Sequence, residues 1–300
     1  MSVMPFTLRS RPAAIAALAL VATLAIPTAA QAAAPVHHPA PARTAAHHHA
    51  PFAVRTTVVA KSAVSGFGGG VVYAPQGTGE AVLGSVVITP GFTDTNADER
   101  EMAELVASQG FVAFAIDTLD TGDLPDQRAT EMLAAADYLT GKSAVRSEVS
   151  ADDVALLGYS MGGGGTMQAA QSRPSIKAAI GLMPFDFPPA SDPNAQYPSY
   201  PAMKTPTLVI TGQEDDVADP ADFGKPAYDS IPAGTPKQYL ELKGLGHAAG
   251  EHVPVATIRV AVTAFLKRYL DGNSAYAKFI CPAPKVGGPI SASTSSCGRG

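Results

Sequence analysis

The chain has 300 residues, 46% of them hydrophobic and 16% charged, and its 26 acids outnumber 21 lysines and arginines for a net charge of −5. No basic run offers an electrostatic footprint, which argues against a nucleic-acid partner. The length left after the amino-terminal segments, about 250 residues, suits one large α/β domain.

Residues 1–32 read as a secretory signal: Arg9 and Arg11 precede an apolar run from Ala13 to Ile26, and Ala30-Gln31-Ala32 follows as a small-residue cleavage site. The run is too short to span a bilayer comfortably and no later stretch is longer, so a soluble exported protein without a membrane partner is expected. Its removal takes away two arginines and no acid, leaving the mature chain more acidic. Residues 33–50 are mostly alanine, proline and histidine, a composition that supplies no packed core and reads as a flexible leader. Residues 51–300 then form the expected catalytic domain.

Within it, Phe52 to Ala60 and Gly70 to Tyr73 are valine- and threonine-rich strands joined through a glycine-rich turn. That turn lacks the Gly-Lys-Ser/Thr ending of a phosphate loop. Ser85 to Thr89 is a continuous apolar run, as in a strand covered on both faces. From there helices and strands alternate. Asp98 to Gln109 is helical, with Met102, Leu105 and Val106 on one face and Gly110 as a stop. Phe111 to Ile116 is a strand, Gln127 to Thr140 a helix, Val154 to Gly158 a strand, Met161 to Ser172 a helix and Ile176 to Leu182 a strand. Thr207 to Thr211, a helix near Ala221 to Ser230, a strand at Gln238 to Leu242 and a final helix from Val255 to Leu270 complete the series. The alternation predicts a mostly parallel sheet of eight or nine strands with helices on both faces and two or three antiparallel strands at the start. Active sites in such sheets lie at the carboxyl ends of the strands.

The strand at Val154 runs into Gly158, Ser160 and Gly162, a G-x-S-x-G pattern followed by a helix. Strand, sharp turn and helix in that order form the nucleophile elbow of an α/β-hydrolase, and Ser160 is the candidate nucleophile. In a chain with 28 glycines the pattern alone is weak, and its context carries the assignment. A serine hydroxyl needs a base. Beyond the leader the domain holds only His247 and His252, and His247 follows the last predicted strand, where the fold's chain order places the base. The orienting acid should follow the strand Thr207 to Thr211, where Glu214, Asp215 and Asp216 are neighbours. Asp216 is preferred because a short turn after Gly212 would bring it over the sheet, with Asp215 the alternative. Oxyanion donors are expected from the backbone of Met161, directly after the nucleophile, and of Phe92, in the loop after an earlier strand. The only two cysteines, Cys281 and Cys297, read as a disulfide of an exported chain, closing a loop worth about 3 kcal/mol in the chain-entropy model.

From Pro51 to Cys297 the chain resembles the actinobacterial polyester-hydrolysing cutinases, the group that includes the poly(ethylene terephthalate) hydrolases. The likeness rests on PFAV, PGFTDT, SQGFVAFAIDT with LPDQR, GYSMGGGGTMQAAQSRPSIKAA, TPTLVITGQEDDVADP, the GLGH segment and FLKRYLDGNSAYAKFICP. By resemblance Ser160, Asp216 and His247 fall on the family's triad, Phe92 and Met161 on its oxyanion positions, and Cys281 with Cys297 on its carboxy-terminal disulfide. Phe92 stands where the family usually has tyrosine, Tyr159 where histidine or tryptophan precedes the serine, and Phe185 where tryptophan is usual; this chain has no tryptophan. Phe92, Tyr159 and Phe185 are the candidate substrate-binding residues, with ordinary packing the competing role for each phenylalanine.

The connection from Met183 to Pro206 is too broken by prolines to build a helical lid, so Ser160 should face solvent and accept a surface-bound or polymeric ester. The expectation is a secreted serine carboxylic-ester hydrolase, monomeric, working without cofactor. Family members bind calcium at surface acids, but no metal site is specified here. The alternatives are a lipase or small-ester esterase and an inactive hydrolase-like binding protein.

Overall fold

The computed structural model describes residues 51–188, 194–250 and 255–297. The expected signal and leader, and His252, lie outside the described residues. Nine strands form one sheet in the order β1-β2-β4-β3-β5-β6-β7-β8-β9. They are β1 (Val54–Val59), β2 (Gly70–Pro75), β3 (Leu83–Thr89), β4 (Val112–Ile116), β5 (Val149–Tyr159), β6 (Ala178–Leu182), β7 (Thr207–Gly212), β8 (Lys237–Leu242) and β9 (Ile290–Ser296). From β3 to β8 all neighbours pair in parallel, and β1, β2 and β9 pair antiparallel. β3, the continuous apolar run expected to be covered on both faces, is almost wholly buried, and so are β4, β6 and β7.

Alternation along the strands divides the core in two. Val87, Phe114, Leu156 and Val209 face α2 (Pro125–Gly141), α3 (Met161–Ser172) and α4 (Gly224–Ser230) through Met132, Leu139, Met167 and Ala227. Val86, Ile88, Leu157 and Ile210 face α1 (Arg100–Ser108) and α5 (Ala256–Tyr269) through Met102, Val106, Val262 and Phe265. Each such side chain removed from water contributes about 1.5–3 kcal/mol, so burial on both faces holds the sheet between its helices. Among the described residues no helix is long and apolar enough to cross a membrane.

Three boundaries differ from expectation. α2 starts at Pro125, whose fixed φ suits a first helical residue, and the Gln127 side chain accepts the Leu124 N–H at 2.9 Å. α4 starts only at Gly224 because Asp219 first closes a turn, taking the N–H groups of Asp222 and Phe223 on its carbonyl and that of Ala221 on its side chain. β5 begins at Val149, five residues early, with the polar Asp152 exposed before the buried run. β9 was not anticipated at all. Its Ser/Thr-rich sequence has no apolar alternation, and it is a strand because β8 offers a free edge, from Lys237 opposite Ser296 to Leu242 opposite Ile290. The Cys281–Cys297 disulfide, with Cα atoms 5.7 Å apart, closes the chain immediately after it.

Candidate active site

β5 runs from the middle of the sheet into Ser160, whose φ of 53° lies in the left-handed region that non-glycine residues avoid. The surroundings hold it there. Its N–H donates to the Leu182 carbonyl at the end of β6, and its own carbonyl accepts from Gly164 in α3 and from Phe185. The flanking glycines are required by space: a Cβ on Gly158 would sit 2.1 Å from the Gly162 carbonyl oxygen, and one on Gly162 would sit 2.2 Å from that of Thr89. Thr93 and Met183 also have positive φ, so all three non-glycine residues of this kind among those described lie on the loops around one strand end.

His247 follows β8 and reaches Ser160 from the other side. Its Nε2 is 2.9 Å from Ser160 Oγ and its Nδ1 is 2.8 Å from Asp215 Oδ2. Because a carboxylate only accepts, Nδ1 carries the proton, which leaves Nε2 free to accept from the serine hydroxyl. The Tyr159 hydroxyl donates to the His247 carbonyl at 3.0 Å and fixes the backbone that carries the ring. Asp215 has no exposed side-chain area, and its second oxygen accepts from the N–H groups of Val217 and Ala218. The loops after β7 and β8 are stapled together: Gln213 N–H donates to Leu242, and Glu214 N–H to Leu245.

This corrects the choice of Asp216, which is exposed. The turn after Gly212 is one residue tighter than expected, closing with Asp215 N–H on the Gly212 carbonyl, so Asp215 points inward and Asp216 out.

The loop after β3 covers the serine. A Cβ on Gly91 would lie 3.2 Å from Ser160 Cβ, so the chain passes close over Ser160 into Phe92. Met161 is the first residue of α3 and its N–H therefore has no acceptor within the helix. Arg128, a fully buried side chain of α2, ties this loop down by donating to the carbonyls of Pro90, Thr121 and Asp123. Burial holds the pKa of its guanidinium below the ordinary value, against the opposing pull of Glu131, Asp123 and Asp94.

Above Ser160 lies a cavity of about 310 Å³ walled by Phe92, Phe185 and Val217, with Met161 and His247 at its base. Phe92 is 51% exposed at the rim. Phe185 is stacked from behind by Phe223, centroids 4.5 Å apart, so it both packs and faces the cavity. Tyr159 gives the cavity little area, being 2% exposed and engaged with His247.

A family model described as PET hydrolase-like matches residues 29–298. The chain belongs to that family. A bis(hydroxyethyl) terephthalate hydrolase of Streptomyces coelicolor is 40% identical over 291 residues, covering 96% of this chain and 90% of that protein. A cutinase of Thermobifida fusca is 39% identical over 251 residues, covering 82% of this chain and 79% of its own length, and cutinase est2 of Thermobifida alba is 39% identical over 239 residues. The architecture is thus the α/β-hydrolase fold of a family of ester hydrolases. As in a lidless member, the described parts of the connection between β6 and β7 contain no helix. Ser160 is nevertheless only 6% exposed, because the Gly91 loop and His247 overhang it: it is the floor of a cleft and not an open surface. Val217, which lines this cleft, and Phe223, which backs Phe185, were not foreseen. Val217 lies beside Ala218 in an acidic loop, and nothing in that composition marks it as a wall of the cleft.

Proposed function

We propose that the protein is an exported serine hydrolase that cleaves carboxylic esters, including the ester bonds of polymers, through an acyl-enzyme. The observation that carries this is the unbroken chain from Ser160 Oγ to His247 to the buried Asp215, at 2.9 and 2.8 Å, under a cavity with an aromatic rim. Ser160 Oγ attacks the ester carbonyl carbon while its proton passes to His247 Nε2. The oxyanion is held by the N–H groups of Met161 and Phe92, reinforced by the amino end of α3. His247 then returns the proton to the departing alkoxide. Water, deprotonated by the same imidazole, releases the acid. Asp215 keeps the ring in the tautomer that both steps need.

Phe92 and Phe185 supply flat apolar faces to the acyl part of the substrate, in line with relatives whose names specify terephthalate and cutin esters. Export is supported by the charged, apolar and small-residue order of residues 1–32 and by the disulfide.

The test is a panel of p-nitrophenyl butyrate, bis(hydroxyethyl) terephthalate and polyester film, run beside Ser160→Ala. Turnover that disappears with Ser160→Ala, together with fluorophosphonate labelling of the wild type alone, is expected. A wild-type protein that neither labels nor turns over the short ester would instead be an inactive binding protein. Activity on the two small esters without any on film would reduce the reading to a small-ester esterase.

A further inference from the structure

The cavity at Ser160 is not the largest concavity in the molecule. A second, of about 520 Å³, lies beside it on the face formed by the start of α2, the end of α3 and Asp186 to Pro188. One short segment divides the two: Phe185 walls the first and Phe187 the second. Their rings meet edge to face with centroids 5.5 Å apart. A chain that leaves the catalytic cleft past Phe185 therefore meets Phe187 next. Phe187 is 48% exposed, and Leu124 across the cavity is 42% exposed.

This wall is built rather than incidental. Phe187 N–H donates to Asp186 Oδ1 at 2.7 Å, and the carboxylate also accepts from the Tyr200 hydroxyl and from Gln168 Nε2. Asp186 and Tyr200 are buried. Because all of these donors converge on Asp186, its charge is used inside the fold, and the surface offered to a ligand is apolar with amide and hydroxyl rims. The remaining acid on the wall, Asp126, repels anions. A free acid product or an acidic peptide is thus disfavoured, and a neutral chain is favoured.

We propose that this cavity is a second subsite, taking the neutral repeat unit next to the scissile bond when the substrate is a polymeric ester. The proposal rests on the ester-hydrolase reading above. It predicts a preference for chains over single esters that resides in the Leu124 and Phe187 walls, separate from the chemistry at Ser160. The two walls together bury apolar ring or methylene surface on both sides of the bound unit, which is the contact a one-unit ester cannot reach.

The experiment compares kcat/KM for p-nitrophenyl butyrate with that for a soluble ester oligomer of at least three repeat units. Leu124→Asp places a charge on one wall. Ser172→Phe, at an exposed position of the rim, fills the cavity without touching Leu124. Each variant is expected to lower oligomer turnover about tenfold and to leave the butyrate within about twofold, with an unchanged melting temperature showing that the fold is intact. Equal effects on both substrates, or no effect on either, would overturn the subsite. So would a wild type that cleaves the butyrate but not the oligomer. Absence of butyrate activity in the wild type would be the failure of the hydrolase reading itself.

Discussion

Asp215 is committed on both oxygens, one to His247 and the other to two backbone N–H groups, whereas Asp216 one position later is exposed. Asp215→Asn, which lets the imidazole settle in the wrong tautomer, is expected to lower kcat by about 10³–10⁴. Asp216→Asn should stay within about twofold of wild type in the same esterase assay; the reverse outcome would restore Asp216 as the orienting acid. Three consecutive carboxylates have no periodicity, and which one turns inward depends on whether Asp215 or its neighbour closes the turn onto Gly212, a one-residue matter that composition does not encode. Ser160 and His247 were legible because their alternatives were few, a single glycine-flanked serine after a strand and two histidines. Glu131 was invisible for the opposite reason: on α2 it looks like a solvated helix acid, yet it is 3% exposed against Arg128. Burial, and then a hydrogen bond with Asp123, pushes its pKa up to about 8. The folded state thus holds a proton that the unfolded state releases near its ordinary value of 4.5. Stability is full below that value and falls as pH rises towards 8, by an amount on the order of a few kcal/mol. Glu131→Gln keeps an acceptor for Leu119 N–H and a donor for Asp123, so its melting temperature should change less between pH 5 and pH 9 than that of the wild type. Parallel melting curves for both proteins over that range would refute the protonated Glu131.

At the scale of elements, α3 is the clearest case of sequence determining packing. Its four consecutive glycines are poor helix formers, yet each lets a different neighbour approach: Gly162 the end of β3, Gly163 Pro184, Gly164 the backbone of Phe185 and Gly165 the start of α2. The helix stands where its amino end points at Ser160 because nothing projects from that turn. Gly164→Ala would put a Cβ 2.2 Å from the Phe185 carbonyl oxygen, an obstacle that cannot rotate away. It should cost about 1–3 kcal/mol and raise KM for aromatic esters, since Phe185 must shift. Gly141→Ala, at the end of α2 with nothing within 4 Å of the added atom, is the control and should be neutral or slightly stabilising. The two melting temperatures decide the point. The bounds of α3 were predictable because an elbow and a C-terminal Arg-Pro frame them. β9 was not, because its small polar residues become a strand only through the edge that β8 presents.

For the whole molecule, the Ser160–His247–Asp215 chain and the stability of the last sheet edge are separable. Ser160 and Asp215 follow β5 and β7, interior strands paired on both sides, and these positions do not depend on β9. β8, which leads to His247, is paired with β7 along its full length as well as with β9. What the Cys281–Cys297 bond adds is a tether that limits the unfolded chain after α5 and keeps β9 on its edge. A separation of 16 residues corresponds to about 3 kcal/mol in the chain-entropy model, or about 6–12 °C of melting temperature for a domain of this size. Reduction, or the double variant Cys281→Ser with Cys297→Ser, should therefore produce a drop of that order while esterase activity at 25 °C is retained. Calorimetry with and without reductant, paired with the p-nitrophenyl butyrate assay, reads both quantities. An unchanged melting temperature would mean that β9 is held by its pairing with β8 alone. Loss of activity at 25 °C would mean that the His247 loop depends on the edge strand more than the interior pairing of β8 implies.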